Sequence, residues 1–364
     1  LIVVGGGEPK LLYRDILRLA AALKAKGVRR VVGGITVDVS RFDRVDLPPA
    51  FDQKSTTAGY RASIGAAGSE FGAVTLRIRP SRGGEGRARV RMKPWRSGIV
   101  LVNRVRTVAD GETKLTVHVA GLRDGRTKLT VEGRVLRDVR RIVKRVRVAD
   151  TNLFTAHLLR HALRRAGVRV TGPIRYGQRT TEPELAVHEG GTLMAHLRDI
   201  NVYSNNFMTE IVFKQLGAPE GRRPATWKAA QRRVSAVLRQ LGVPANRFRV
   251  VNGSGLYRAT LVSAGAMATL LAKVARDRKL GPLLRRTLPL SGRHGSLRDR
   301  MRGWMKGRVA AKTGTLDDVV SLAGLVRGRR HELAFAIFIN RATPRVTLRL
   351  RRAIDRLVKR LARL

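Results

Sequence analysis

The sequence contains no cysteine and few aromatic residues. The absence of cysteine among its 364 residues excludes a disulfide framework, a thiol nucleophile and a cysteine metal site. Only 5% of the residues are aromatic, too few for a platform that stacks nucleic-acid bases. No run of about 18 apolar residues is present, so the sequence predicts no membrane-spanning helix. With 43% hydrophobic residues, the chain can still bury a large core, and its length indicates two or three domains.

Acidic residues are also scarce relative to basic ones. There are 26 aspartate and glutamate residues against 74 lysine and arginine residues, which gives a net charge of +48. Such a balance makes nucleic acid the first partner to consider. However, the sequence contains no helix-turn-helix, zinc-finger or RNA-recognition signature, and its basic residues are spread over the whole length. A dispersed positive field suits polyanions in general, so a nucleic-acid partner is less favoured than other polyanions.

The segment Arg308–Asn340 combines strand patterns with a short polar tetrad. The apolar residues Val309–Ala311 predict a strand, and the tetrad Lys312–Thr315 lies along or just beyond it. A side chain there can face a cleft, and a glycine leaves room for a ligand. The apolar run Leu333–Ile339 predicts a further strand, buried on both faces. Taken alone, Lys-Thr-Gly favours an ordinary solvated lysine, because three common residues recur by chance.

Two helix patterns enclose a polar tip upstream of this tetrad. Thr192–Asn201 and Phe207–Leu216 carry apolar residues at helical spacing, and Tyr203–Asn206 lies between them. Such a tip can present the Ser204 hydroxyl and the Asn206 amide to a cleft, a donor and acceptor pair suited to proton transfer and amide binding. The alternative is an ordinary interhelical turn in which Asn206 caps the second helix.

These motifs carry a resemblance to a known family. Ser-x-Asn at Ser204 and Lys-Thr-Gly at Lys312 match two of the three signatures of penicillin-binding proteins and β-lactamases. The chain resembles one branch in particular, the class C low-molecular-mass penicillin-binding proteins of the D-alanyl-D-alanine carboxypeptidase/endopeptidase type. Four blocks in order carry this resemblance: YSNNFMTE at 203–210, NGSGLYR at 252–258, LPLSGRHGSLRDR at 288–300 and AAKTGTLDDVVSLAGLV at 310–326.

The resemblance implies a fold class and a domain organisation. We expect an α/β (α+β) fold with a penicillin-binding-protein/β-lactamase-like transpeptidase domain, in which an antiparallel sheet is flanked by helices. Residues 1–90 are expected to form an α/β inserted domain and residues 91–188 a β-rich inserted domain. Residues 189–364 are expected to form the carboxy-terminal part of the catalytic domain.

The resemblance also implies an activity and partners. It implies a serine-type hydrolase that acts on D-Ala-D-Ala of peptidoglycan stem peptides through an acyl-enzyme, binds penicillin and other β-lactams, and requires no cofactor or metal. Such a protein is expected in the periplasm or elsewhere outside the cytoplasm. There the positive charge favours anionic envelope polymers or the membrane surface as further partners.

The family's catalytic roles can be carried over to three residues. By this resemblance, Ser204 would relay a proton between the lysine that accompanies the nucleophile and the leaving amine. Asn206 would hold the substrate amide, and Lys312 would supply positive charge beside Ser204.

The resemblance also implies that four further residues contact the substrate. Thr313 and Thr315 would donate hydrogen bonds to its terminal carboxylate, and Gly314 would let the substrate lie alongside the strand. Ser254 would contact the substrate from the turn NGSGLYR, although a structural turn is an equal alternative.

The third signature of the family, Ser-x-x-Lys, is missing. No serine between Ser40 and Ser321 is followed by lysine three positions later. We therefore expect the chain to be a fragment that lacks the amino-terminal part with the nucleophile, and to be inactive on its own. Covalent labelling of this chain by a fluorescent penicillin would contradict that expectation. The alternative is a catalytically inactive scaffold that binds peptidoglycan or another polyanion. Carboxypeptidase and endopeptidase action are not distinguished by the sequence.

Other segments predict regular elements without a site of their own. Tyr13–Lys26 predicts a helix and Val31–Val39 a strand, which together suggest a small α/β unit. Short alternating runs between residues 73 and 135 predict an antiparallel β region. His157 and His161 stand four apart on the predicted helix Thr151–Ala166, a spacing that can bind zinc, but solvated histidines are favoured because no third ligand is evident.

The carboxy-terminal segment Thr347–Leu364 predicts a strongly basic amphipathic helix. Its apolar residues fall on one face, which favours a helix packed on the sheet of the catalytic domain. A helix lying on a membrane surface is the less favoured alternative.

Overall fold

The computed structural model describes residues 1–94, 98–181, 183–218 and 224–364. These residues form two units, one made of residues 1–190 and 210–226 and the other of residues 191–209 and 227–364. The finer division into domains at 1–90, 91–188 and 189–364 stays a prediction.

Helices and strands occur in both units. The α-helices of the described residues are α1 (Tyr13–Ala25), α2 (Thr151–Arg165), α3 (Leu193–Tyr203), α4 (Asn206–Gln215), α5 (Trp227–Gln240), α6 (Ala264–Arg276), α7 (Leu280–Thr287) and α8 (Thr347–Leu361). The strands of the described residues are β1 (Ile2–Val4), β2 (Arg30–Val31), β3 (Ile35–Asp38), β4 (Ala73–Arg79), β5 (Gly86–Arg87), β6 (Arg89–Lys93), β7 (Ile99–Val108), β8 (Lys114–Gly121), β9 (Thr127–Leu136), β10 (Ile142–Arg147), β11 (Arg169–Val170), β12 (Ile174–Tyr176), β13 (Phe248–Arg249), β14 (Leu261–Val262), β15 (Val309–Thr315), β16 (Val319–Arg327) and β17 (Glu332–Asn340).

In the first unit, α1 and α2 pack against each other beside small parallel sheets. The buried side chains of α1, among them Ile16 and Leu23, recur at helical spacing. α2 begins where the Asp150 carboxylate accepts hydrogen bonds from the backbone N–H groups of Asn152 and Leu153, each at 2.9 Å, as an N-cap does. β1 and β12 both pair in parallel with β3, and β2 pairs in parallel with β11.

The single strand predicted at Val31–Val39 is wrong. The structure divides this segment into β2 and β3, with Gly33 and Gly34 between them at φ +82° and +91°. A side chain at Gly34 would place its Cβ 1.9 Å from the Pro173 carbonyl oxygen, so the turn depends on glycine. Strand periodicity does not show such a break, because the apolar residues on both sides remain in register.

The β region of the first unit is only partly antiparallel. β4 lies between β10 and β6 in an antiparallel sheet, and β10 lies outside the predicted strands. A second sheet has the order β5, β7, β9, β8, and its central pair β7 and β9 runs parallel. The prediction of an antiparallel region is therefore wrong for that pair, because alternation of side chains reveals a strand but not the direction of its neighbour.

The second unit contains an antiparallel sheet with the order β15, β16, β17. β15 includes the whole tetrad, and its register runs from Val309 opposite Val326 to Thr315 opposite Val320. β17 confirms the strand predicted at Leu333–Ile339, but only Phe335 is buried there. The predicted burial on both faces is wrong because β17 lies at an edge of this sheet, where its side chains are half-covered.

α8 covers one face of this sheet. Its Ile354 and Val358 side chains are fully buried in one apolar cluster with Leu322 and Val326 of β16. Burial of aliphatic side chains of this size contributes about 1.5–3 kcal/mol each. The prediction of a core-packing helix is thus confirmed. Within the described ranges, no helix is long and apolar enough to cross a membrane.

Candidate functional site

The predicted polar tip lies between the helices α3 and α4. Ser204 follows α3 in a left-handed conformation, with φ +52°, which ends the helix. Asn205 then accepts a hydrogen bond on its side-chain oxygen from the backbone N–H of Met208 at 3.1 Å. Asn205 therefore caps α4, and Asn206 is the first residue of that helix. The alternative prediction, with Asn206 as the cap, is off by one position.

Ser204 and Lys312 are in direct contact. The Lys312 ammonium donates hydrogen bonds to Ser204 Oγ at 2.7 Å and to the Thr313 carbonyl oxygen at 2.8 Å. The two residues lie 108 positions apart in the chain, and they meet because the α3–α4 tip reaches β15. Since Ser204 Oγ accepts from Lys312, its own proton remains available for donation.

Burial shifts the acid–base equilibrium of Lys312. The side chain is half-buried, and desolvation lowers its pKa from 10.5 to about 8. Burial disfavours the charged form of an amine. Lys312 can therefore change its protonation state near pH 8.

The hydroxyl of Thr313 has a partner outside the predicted set. Thr313 Oγ1 donates to Ser296 Oγ at 2.9 Å. Ser296 belongs to the short helix Gly295–Leu297, which lies against the end of α3: a Cβ on Gly295 would be 3.1 Å from the Val202 carbonyl oxygen. The block LPLSGRHGSLRDR thus contributes Ser296 to the site, a residue to which the sequence motifs assign no role.

Gly314 lies opposite Ser321 in the neighbouring strand β16. A Cβ at this position would be 2.3 Å from Ser321 Oγ. The glycine therefore relieves a cross-strand contact within the sheet, in addition to any room that it leaves for a substrate.

Thr315 ends β15 and contacts a basic residue of α8. Arg351 donates from Nη2 to Thr315 Oγ1 at 3.0 Å. Neither the composition of the tetrad nor its spacing indicates this residue, because 36 positions separate the two in the chain.

Ser254 lies in a tight turn. Its hydroxyl accepts a hydrogen bond from the backbone N–H of Leu256 at 3.3 Å, and Asn252 accepts from Gly255 at 2.9 Å. Four residues beyond Ser254, Arg258 forms an ion pair with Asp318, which follows β15. The turn is thereby connected to the segment after the tetrad, while the role of Ser254 in substrate contact stays a prediction.

The two histidines of α2 are held by protein groups. His157 is buried, and its Nε2 lies 3.2 Å from the Asp124 carbonyl oxygen. His161 Nδ1 lies 2.8 Å from the Tyr13 hydroxyl. The expectation of solvated histidines is wrong for His157. Among the residues that the structure describes, no group of three His, Asp or Glu side chains could hold a metal ion.

The site and its sheet define a penicillin-binding-protein/β-lactamase-like fold. The crystal structure of penicillin binding protein 4 (dacB) from Haemophilus influenzae matches the chain with a TM-score of 0.84 at 22% identity, and covers 100% of this chain and 82% of that one. The same protein complexed with a novel β-lactam matches with a TM-score of 0.77. The predicted fold class is confirmed by these matches.

The chain belongs to the D-Ala-D-Ala carboxypeptidase 3 (S13) family, whose model matches residues 1–361. A D-alanyl-D-alanine carboxypeptidase of Actinomadura sp. is 31% identical over 357 residues, which cover 93% of this chain and 65% of that protein. The carboxypeptidase DacB of Haemophilus influenzae is 24% identical over 345 residues, which cover 93% of this chain and 71% of that protein. The chain thus spans less than two thirds of the Actinomadura relative.

Proposed function

We propose that the protein represented by this chain is a serine-type D-Ala-D-Ala carboxypeptidase. The observation that carries the proposal is the contact between Lys312 Nζ and Ser204 Oγ at 2.7 Å, beside a tetrad that ends in Thr315. The name D-alanyl-D-alanine carboxypeptidase, borne by both relatives, supports the same reaction here. Its substrates would be peptidoglycan stem peptides, and β-lactams would acylate the same nucleophile.

The reaction proceeds through an acyl-enzyme. A serine hydroxyl attacks the carbonyl carbon of the penultimate D-alanine, and its proton passes to a base. The peptide C–N bond breaks when the leaving nitrogen accepts a proton, which releases D-alanine. Water then attacks the ester, and the serine regains its proton as the shortened peptide leaves.

The residues of this chain would act on the leaving-group side of that reaction. Ser204 accepts from Lys312 and can donate its own proton to the leaving nitrogen, so the pair forms a proton relay. Asn206, at the start of α4, would hold the substrate amide. Thr315 would donate a hydrogen bond to the terminal carboxylate, and so would Thr313 once its hydroxyl turns from Ser296 to the ligand. The nucleophile is assigned to no residue among these 364, because none of their serines precedes a lysine by three positions.

The proposal includes a location outside the cytoplasm, where peptidoglycan is found. The net charge of +48 would there attract anionic envelope polymers and lipid headgroups, with a strength that falls as salt rises. Retention of the chain on anionic vesicles at low salt, and its release at high salt, is the corresponding measurement.

Binding of a stereochemically defined peptide tests the proposed site without requiring turnover. The chain is titrated with an N-acetylated peptide ending in D-Ala-D-Ala, and the backbone amide signals of Thr313 and Thr315 are followed by NMR. We expect this peptide to bind more tightly than its L-Ala-L-Ala stereoisomer. Thr313→Val removes one hydroxyl at nearly constant volume and should weaken binding about tenfold, the effect of one hydrogen bond to a charged group.

The matched control is Thr269→Val, which removes an exposed hydroxyl from α6. It should leave the affinity for the D-Ala-D-Ala peptide unchanged. Equal binding of the two stereoisomers, or an unchanged affinity in Thr313→Val, would contradict the proposed function.

A further inference from the structure

Arg351 is the residue of α8 that reaches the tetrad. It lies three positions before Ile354 and seven before Val358, the two side chains that fix α8 on the sheet. Residues at these spacings share one helix face, so Arg351 is carried towards β15 and is half-buried, whereas Arg352 is exposed. Its guanidinium donates to Thr315 Oγ1 at 3.0 Å, at the carboxy-terminal end of the tetrad.

The positive charge of Arg351 is not neutralised within the described chain. The carboxylate best placed to do so is Asp355, four residues later on the same helix face. Asp355 is instead engaged by Arg300, whose Nη2 lies 2.7 Å from Asp355 Oδ1. Among the described residues, no carboxylate lies within ion-pair distance of Arg351 itself. The guanidinium has five N–H donors, and its hydrogen bond to Thr315 uses one of them, so the others can bind an anion.

Lys312 begins the tetrad and Arg351 contacts its carboxy-terminal end, and the two cations differ in character. Lys312 donates to Ser204 and loses its proton near pH 8, so its charge varies over the range in which the reaction would run. An arginine stays protonated at any such pH, and its planar fork matches the geometry of a carboxylate. Thr315 accepts from Arg351 and keeps its own hydroxyl proton for a ligand. A constant charge and a free hydroxyl donor thus stand side by side at the carboxy-terminal end of the tetrad.

We propose that Arg351 determines specificity for a free carboxylate on the leaving-group residue of the substrate, acting together with Thr315. This inference rests on the proposed function, since it assigns a ligand to one end of the same site. Lys312 and Ser204 serve the proton transfer, and Arg351 recognises the end of the peptide.

The test compares an acid with the corresponding amide. The chain is titrated with N-acetyl peptides ending in D-Ala-D-Ala that carry either a free carboxylate or a C-terminal carboxamide. We expect the unmodified chain to bind the acid more tightly. In Arg351→Gln the acid should bind about tenfold more weakly, as for the loss of one charge-assisted hydrogen bond, while the amide should change less than about twofold. Arg351→Lys should restore part of the preference, because it keeps the charge without the fork.

Arg352→Gln is the matched control, because it removes the same charge from the next, exposed position of α8. It should retain the preference for the acid. If Arg351→Gln keeps that preference while the unmodified chain binds both peptides, the inference is wrong and the proposed function stands. If the unmodified chain binds neither peptide, both are wrong. Equal loss of acid and amide binding would indicate a structural role for Arg351 and would also overturn the inference.

Discussion

Lys312 lies in a partly buried position, where desolvation disfavours the charged form of its amine. Its ammonium group has two oxygen acceptors, Ser204 Oγ and the Thr313 carbonyl, and within the described ranges no carboxylate pairs with it. Hydrogen bonds to neutral oxygens offset only part of the lost hydration, so the free amine becomes accessible near neutral pH. A lysine of this kind can accept and return a proton, which a fully solvated lysine rarely does at that pH.

The titration of Lys312 is therefore expected to have its midpoint at a pKa of about 8. Below that pH the ammonium form prevails, and above it the neutral amine does. A bound carboxylate stabilises the ammonium form, so a D-Ala-D-Ala peptide should move the midpoint upward. NMR of ¹³C-labelled lysine measures both values, and the signal is assigned by its loss in Lys312→Gln. A midpoint near 10.5, the ordinary value, would contradict the assignment of Lys312 to proton transfer.

The three consecutive residues Ser204, Asn205 and Asn206 form the tip between α3 and α4, and each has a different structural role. Ser204 ends one helix and accepts from Lys312, Asn205 caps the next helix, and Asn206 opens it. Thr209 reinforces the start of α4, since its hydroxyl donates to the Asn205 carbonyl oxygen at 2.8 Å. The position of the Ser204 hydroxyl thus depends on how firmly α4 begins.

Asn205→Ala should lower the free energy of unfolding by about 1 kcal/mol, because it removes the N-cap of α4. It should also weaken binding of the D-Ala-D-Ala peptide, since Ser204 adjoins the cap. Urea unfolding and the peptide titration measure the two effects. Thr192→Ala removes the cap of α3, at the opposite end of that helix from the tip, and should lower stability by a similar amount without weakening binding. Equal effects of the two variants on binding would contradict a special role for Asn205.

At the scale of elements, the sequence predicts what is local and misses what is distant. The tetrad, the tip and the face of α8 follow from spacing, and family motifs place Ser204 and Lys312 in one site. The contacts of Ser296 and Arg351 with the tetrad could not be predicted in this way, because a contact between remote segments depends on the path of the chain between them. The break at Gly34 was missed for the same reason, since the Pro173 carbonyl that requires it lies far along the chain.

At the scale of the whole molecule, several of the scarce acidic residues occupy structural positions. Asp150 caps α2, Asp355 binds Arg300, and Asp43 lies 2.5 Å from the ammonium of the fully buried Lys214. Removing one partner of a buried pair leaves an uncompensated charge, which costs about 3–5 kcal/mol. The chain has 26 acidic and 74 basic residues. Such ion pairs compensate the charge of basic side chains that are buried or half-buried in the fold, as Lys214 and Arg300 are.

Asp46 differs from these three residues, because its charge lowers the stability of the fold at neutral pH. Burial, followed by the nearby negative charges of Asp150 and Asp43, raises its pKa from 3.8 to about 6 against the opposing effect of Lys214 and Arg44. The folded state therefore retains a proton that the unfolded chain loses at lower pH. Below about pH 4 Asp46 is neutral in both states and does not lower the free energy of unfolding. As the pH rises through about 6, the free energy of unfolding falls, and at pH 7 the full loss is present.

Asp46→Asn should consequently stabilise the protein at pH 7, by about 2 kcal/mol after allowance for partial exposure. The gain should shrink as the pH is lowered and vanish near pH 4, where the carboxyl group is neutral in both states. Urea unfolding across that range measures it, with Asp52→Asn, an exposed site, as the control. A gain that does not depend on pH would contradict a titrating Asp46.

The sheet of the second unit leaves one side of the tetrad open. Residues 289–291 bond to the outer side of β15 as far as Ala311, and among the described residues no strand continues this pairing along Lys312–Thr315. An open edge of this kind invites another strand, including the same edge of a second molecule. Two such edges would bring Lys312 and Arg351 of both copies to one seam, where like charges repel. The positive charges of Lys312 and Arg351 would therefore also oppose self-association along this edge, whereas a peptide with a negative terminus would meet no such repulsion.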